Sequence, residues 1–76
     1  MCELMIKSLR MRLADNVKRY REEKGWSREE LSLLLNVDNS YISKLERGCI
    51  NITLDKLEQL ASVLEVDAIQ LIAHIV

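Results

Sequence analysis

Seventy-six residues, 49% hydrophobic and 30% charged, predict one domain over 1–76, near the lower size limit for a chain with its own core, and exclude a disordered chain. The net charge of −1 argues by itself against non-specific adhesion to nucleic acid. The charge is uneven, however: residues 1–47 hold ten Lys/Arg against eight Asp/Glu, and residues 48–76 hold Lys56 against Asp55, Glu58, Glu65 and Asp67, which suggests an anionic partner on one side only.

The chain has no proline, and apolar/polar alternation nowhere persists between turn residues, so strands are not expected. Helical spacing recurs instead. Leu9, Leu13, Val17 and Tyr20 form one apolar face and predict a first helix running to Lys24 and closed by Gly25; Glu3 and Leu13 are both defensible starts. The second helix opens at Ser27, with Glu30 completing a capping box, carries Leu31, Leu34 and Leu35, and breaks at Asn36. Asp38 is placed to cap the third helix through its carboxylate. That helix turns Ile42 and Leu45 inward, shows Asn39, Ser40, Ser43 and Lys44 on its opposite face, and ends at Gly48.

Thr53 caps a fourth helix whose Leu54, Leu57, Leu60, Ala61 and Leu64 make the longest apolar stripe. Asp67 and Gln70 form a box at the head of a fifth, with Ile69, Leu71, Ile72 and Ile75. The expected architecture is all-α: a compact five-helix domain with short connections. Once Leu60, Leu64, Val66 and Leu71 fill the core, the apolar side chains left over are Ile69, Ile72, Ile75 and Val76. They predict an exposed patch that pairs with its own copy, making a homodimer.

Other chemistries find little support. His74 is the only histidine and has no plausible nucleophile or orienting acid beside it; Cys2 and Cys49 lack the partners of a zinc site. No enzyme, metal, cofactor or small-molecule substrate is expected. The two cysteines read as free thiols in a reducing cytosol. No apolar run approaches the roughly 18 residues of a membrane helix, and the opening MCELMIKSLRMR does not read as a signal peptide, so the expectation is a cytoplasmic protein without a membrane partner.

The second and third helices, joined by a tight turn at Asn36, have the pattern of a DNA-binding helix-turn-helix over about residues 27–47. Small Ser32 lies where two crossing helices must approach closely, and Leu31, Leu35, Val37, Ile42 and Leu45 make the wedge between them. A plain helical hairpin has the same pattern. The flanks add LADNVKRYREEKGWSREEL, VDNSYISKLERG and N-x-T-L-x-x-L-x-x-L-A-x-x-L-x-V. With these, the run from Leu13 to Ile72 resembles the lambda-repressor-like (Cro-type) helix-turn-helix family, preceded by an N-terminal extension of about residues 1–10. DNSYISKLERG followed by NITL looks most like the small dimeric controller proteins of restriction–modification systems.

The resemblance implies a homodimer on a palindromic double-stranded DNA operator, regulating transcription. The third helix would enter the major groove. Asn39 would suit adenine and Lys44 guanine, with Ser40 and Ser43 also facing bases. Arg28, Tyr41, Arg47 and Asn51 would meet phosphates. Arg21 and Glu46 would form an ion pair tying the first helix to the third; without the resemblance they are two surface charges. Trp26 is expected as a lid on the core. Departures from the family's pattern are Arg28 for glutamine, Ser32 for alanine, Asn36 for glycine and uncharged Cys49 and Ile50 for frequent cations. Glu65 replaces a usual glycine, so it either takes a left-handed conformation or the turn differs; Leu33 and Leu34 replace polar residues and meet the N-terminal extension or lie exposed. The alternative from another class is a protein–protein interaction module such as an antitoxin; a small phage or plasmid regulator is the other alternative.

Overall fold

The computed structural model describes residues 8–73, which form five helices in chain order: α1 Leu9–Glu23, α2 Arg28–Leu35, α3 Asn39–Glu46, α4 Leu54–Leu64 and α5 Ala68–Leu71. No strand occurs among the described residues. α1 begins between the two expected starts, because Ser8 caps it: its Oγ accepts from Met11 N at 3.2 Å. Ser27 and Thr53 cap α2 and α4 through Glu30 N and Lys56 N, and Glu30 Oε1 returns a bond to Ser27 N at 2.8 Å. At α5, Gln70 Oε1 accepts from Asp67 N at 2.9 Å. Asp38 departs from expectation. It stands at the N-cap of α3, but its exposed carboxylate accepts no cap hydrogen bond. Its backbone carbonyl instead closes the first turn, accepting from Tyr41 N at 3.0 Å.

Four helices end the same way. A residue of positive φ follows each of them: Gly25, Asn36, Gly48 and Glu65. The next residue's N–H then bonds back five residues, as in Val37 N to Ser32 O at 2.9 Å and Val66 N to Ala61 O at 3.0 Å. Glu65 therefore takes the left-handed conformation itself, at φ 60° and ψ 42°. α5 is one turn long and ends at Leu71, so Ile72, expected within it, is instead its C-cap and Ala73 is not helical; residues 74–76, including Ile75, lie outside the described residues.

Leu13, Val17, Leu31, Leu35, Ile42, Leu45, Leu57, Leu60, Leu64 and Leu71 form one core, with Trp26, Tyr41, Ile50, Ile52 and Ile72 packed against its margin. Ser32 is buried where α2 meets α3, and its hydroxyl donates to Glu29 O at 2.6 Å, so the close approach leaves no orphaned polar atom there. Asn16 is fully buried on the apolar face of α1. Its Nδ2 donates to the carbonyls of Leu71 and Ala73 at 2.8 and 3.0 Å, fastening α5 to α1. Leu33 and Leu34 are 75% and 52% exposed, and so lie open rather than covered by any described residue.

Candidate nucleic-acid interface

α3 is gripped on one side and open on the other. Ile42 and Leu45 are buried in the core, while Asn39, Ser40 and Lys44 are exposed and Ser43 is half-buried. Arg21 on α1 fixes the C-terminal end of α3. Its Nε donates to Glu46 Oε2 at 2.6 Å, its Nη2 to Glu46 Oε1 at 3.2 Å and its Nη1 to Trp26 O at 2.7 Å. The side chains of Arg21 and Glu46 are 10% and 5% exposed. A two-pronged bond between a planar guanidinium and a carboxylate sets orientation as well as distance. It therefore fixes how far α3 rotates about its axis, and with that which residues point outward.

Ser40, Tyr41 and Lys44 on α3 converge with Asn51, from the loop between α3 and α4, around an open cleft of about 730 Å³ that Asp38 and Ile50 also border. Four of the eight residues expected to meet bases or phosphates thus share one concave surface. Asn39, Ser43, Arg28 and Arg47 do not line it. Arg28 is the first residue of α2 and Arg47 the C-cap of α3, and both are exposed. Among the described residues, none of the Arg28, Asn39, Ser40 and Lys44 side chains is held in a hydrogen bond or ion pair. Their donors face solvent. Tyr41 packs its ring against the core, and burial raises its pKa, so its hydroxyl remains a neutral donor at the cleft wall.

The cleft offers two amides, from Asn36 and Asn51, two hydroxyls and an ammonium, with the Asp38 carboxylate on its border; the amides, hydroxyls and ammonium suit base edges and phosphate oxygens. Among the described residues no group of three or more His, Cys, Asp or Glu could hold a metal ion, and no helix is long and apolar enough to cross a membrane. Cys49 is a free, exposed thiol beside the cleft, and Cys2 lies outside the described residues.

The apolar residues left over at the C-terminus separate. Ile69 is 73% exposed, whereas Ile72 is half-buried against the core; Ile75 and Val76 lie outside the described residues. Two polar residues at the site's supports escaped the sequence reading. Asn16 falls on the apolar stripe, three residues after Leu13, and that misplacement is a signal for a buried amide with backbone partners. Arg10, whose guanidinium donates to Asn51 Oδ1, gives no such signal, because the partner is 41 residues away.

A helix-turn-helix family model, HTH_3, matches residues 17–71. A hypothetical transcription factor from Neisseria meningitidis serogroup B is 44% identical over 64 residues, which cover 84% of this chain and 60% of that protein. This chain thus spans less than two thirds of that relative. Among solved structures, the restriction–modification controller protein C.AhdI from Aeromonas hydrophila superposes with a TM-score of 0.76 at 31% identity, covering 82% of this chain and 94% of that one. The controller protein C.Esp1396I, as a tetramer in complex with its natural 35 base-pair operator, superposes with a TM-score of 0.75 at 34% identity, covering 86% of each chain.

Proposed function

The chain belongs to the helix-turn-helix family HTH_3, and on that premise we propose that it is a sequence-specific double-stranded DNA-binding regulator of transcription. It acts as a homodimer on a palindromic operator, in the manner of a restriction–modification controller protein. The observation that carries this reading is α3 itself. One face is locked into the core and clamped by Arg21, and the other presents Asn39, Ser40 and Lys44 with no intramolecular partners among the described residues. Such a helix is positioned to enter a major groove with its N-terminal end foremost. Asn39 and Lys44 then read base edges, with Ser40 and Ser43 beside them, while Arg28, Tyr41, Arg47 and Asn51 hold the phosphates on either side. Two copies related by a twofold axis would place their reading helices about 34 Å apart, one helical turn of DNA.

Selection from a randomised duplex pool, followed by titration of the enriched sequence and its variants at fixed salt, tests the proposal. An enriched sequence with twofold symmetry is expected. Asn39→Ala and Lys44→Ala should each lose about 1–3 kcal/mol on it and relax base preference, whereas Arg47→Ala should weaken all sequences alike. An Asn39→Ala variant that keeps its base preference would show α3 to be placed wrongly.

A second reading, a protein-binding module such as an antitoxin, is favoured by one observation: the exposed pair Leu33 and Leu34 on α2. Salt separates the two. Retention on heparin that falls steeply with ionic strength belongs to the DNA reader and not to an apolar protein contact.

A further inference from the structure

The loop from Gly48 to Thr53 carries no cationic side chain of its own. Yet Asn51 within it borders the cleft beside Ser40, Tyr41 and Lys44. A cation reaches the loop from the opposite end of the chain. Arg10, in the first turn of α1, donates through Nη2 to Asn51 Oδ1, and both residues are exposed. The next residue, Met11, packs so closely on Gly48 that a Cβ there would collide with its thioether. The first turn of α1 and the loop after α3 are therefore held together at two points, one polar and one apolar. Arg10 and Asn51 also share the rim of a second groove with Leu9 and Ile52, so the bond lies along the surface rather than beneath it.

The chemistry of the pair is directional. With its carbonyl oxygen engaged by Arg10, the Asn51 amide turns its NH₂ away from α1. The guanidinium has five N–H donors, and one bond to Asn51 leaves most of its planar fork free for a tetrahedral oxyanion. We infer that Arg10 is a further DNA-backbone contact: its guanidinium holds a phosphate together with Asn51, extending the interface from α3 across the loop onto the first turn of α1. The inference rests on the DNA reading above and adds to it a residue from the N-terminal extension.

Binding of a fluorescently labelled mixed-sequence duplex of about 30 base pairs, long enough for two half-sites, followed by anisotropy across a salt series, tests it. Each phosphate neutralised contributes about 0.9 to the slope of log affinity against log salt. Arg10→Ala should lower the slope by that amount, weakening binding about fifteenfold near 0.05 M salt and about fourfold near 0.2 M. Arg10→Lys should keep most of the slope, and Arg10→Glu should weaken binding further than alanine. Lys24→Ala removes the same charge from the far end of α1, about 20 Å away along the helix axis, and should leave the slope unchanged. Circular dichroism confirms that each variant is folded; if Arg10→Ala lost helix, the comparison of the folded lysine and glutamate variants would decide. A slope unaltered in Arg10→Ala, or altered equally in Lys24→Ala, overturns the inference while leaving the DNA reading intact. A wild-type chain that does not bind the duplex overturns both.

Discussion

Glu65 shows how much a single residue can be made to do against its preference. Its φ of 60° places an L-residue with a Cβ in the region that costs roughly 1–2 kcal/mol outside glycine. Three features hold it there: the hydrogen bond of Val66 N to Ala61 O, the buried Leu64 before it, and an ion pair to Lys24 Nζ at 2.5 Å. Only the last is tied to its side chain. Glu65→Gly should therefore stabilise the domain by about 1 kcal/mol, raising the melting temperature by roughly 4–8 °C, and a thermal melt checks it. The hydrogen bond from Lys24, and then its charge, lower the Glu65 pKa from 4.5. A lowered folded-state value adds stability that is complete above 4.5 and is lost as pH falls through the lowered value. Lys24→Met should remove that component, so its melting temperature should converge on wild type as the solution is acidified. A gap between the two that widens in acid would contradict the pairing.

Between elements, one polar link and one small residue set the geometry that the site depends on. Arg21 and Glu46 join α1 to α3 across 25 residues, both nearly buried. Losing one partner leaves the other charged and poorly solvated, a cost of about 3–5 kcal/mol for a buried pair. Arg21→Met should destabilise by several kcal/mol, and adding Glu46→Leu should recover part of it; thermal melts of the two single variants and the double variant close the cycle, and strict additivity would refute the coupling. Gly48 is the other support, with φ +74° and Met11 filling the space where a side chain would begin. Gly48→Ala meets both penalties. It should destabilise by more than 1 kcal/mol and, by pushing α1 from the loop, weaken duplex binding. Gly25 also has positive φ but nothing within 4 Å, so Gly25→Ala should show the backbone penalty alone.

At the scale of the whole molecule, the proposed dimer draws on apolar surface that one copy leaves open. Ile69 is 73% exposed on a one-turn helix otherwise anchored by Leu71 and by the Asn16 amide. Burying such a side chain is worth roughly 1.5–3 kcal/mol per copy, and twofold symmetry counts it twice. Ile69→Glu should give a helical monomer with much weaker operator binding, because each half-site would be bound singly. Analytical ultracentrifugation alongside circular dichroism reads both properties. A variant that remains dimeric moves the interface elsewhere, with exposed Leu9 and Leu54 the next surface to alter.

The sequence by itself determined which segments are helical, most of their ends, and most of the side chains that turn inward; Leu9 and Leu54, on the expected apolar stripes, are 57% and 78% exposed. Those features follow from local rules: Ser27, Thr53 and Asn36 act on backbone groups within a few residues, and leucine spacing records one face of one helix. At Glu65 the sequence left two outcomes open, a left-handed residue or a different turn, and only the structure decided for the first. The start of α1 was not legible either, since the serine cap competes with apolar spacing that runs through it. Asp38 misled: it stands at the N-cap position the sequence marks, but its carboxylate makes no cap hydrogen bond. Only the tertiary structure decided what meets across long separations. It gathered Ser40, Tyr41, Lys44 and Asn51 around one cleft, left Asn39 and Arg28 outside it, buried Asn16 against two C-terminal carbonyls, and brought Arg10 to Asn51. Such meetings depend on how helices cross, and crossing is set by the volumes of Ser32, Ile42, Leu45 and their neighbours acting together, a property no single stretch of chain contains.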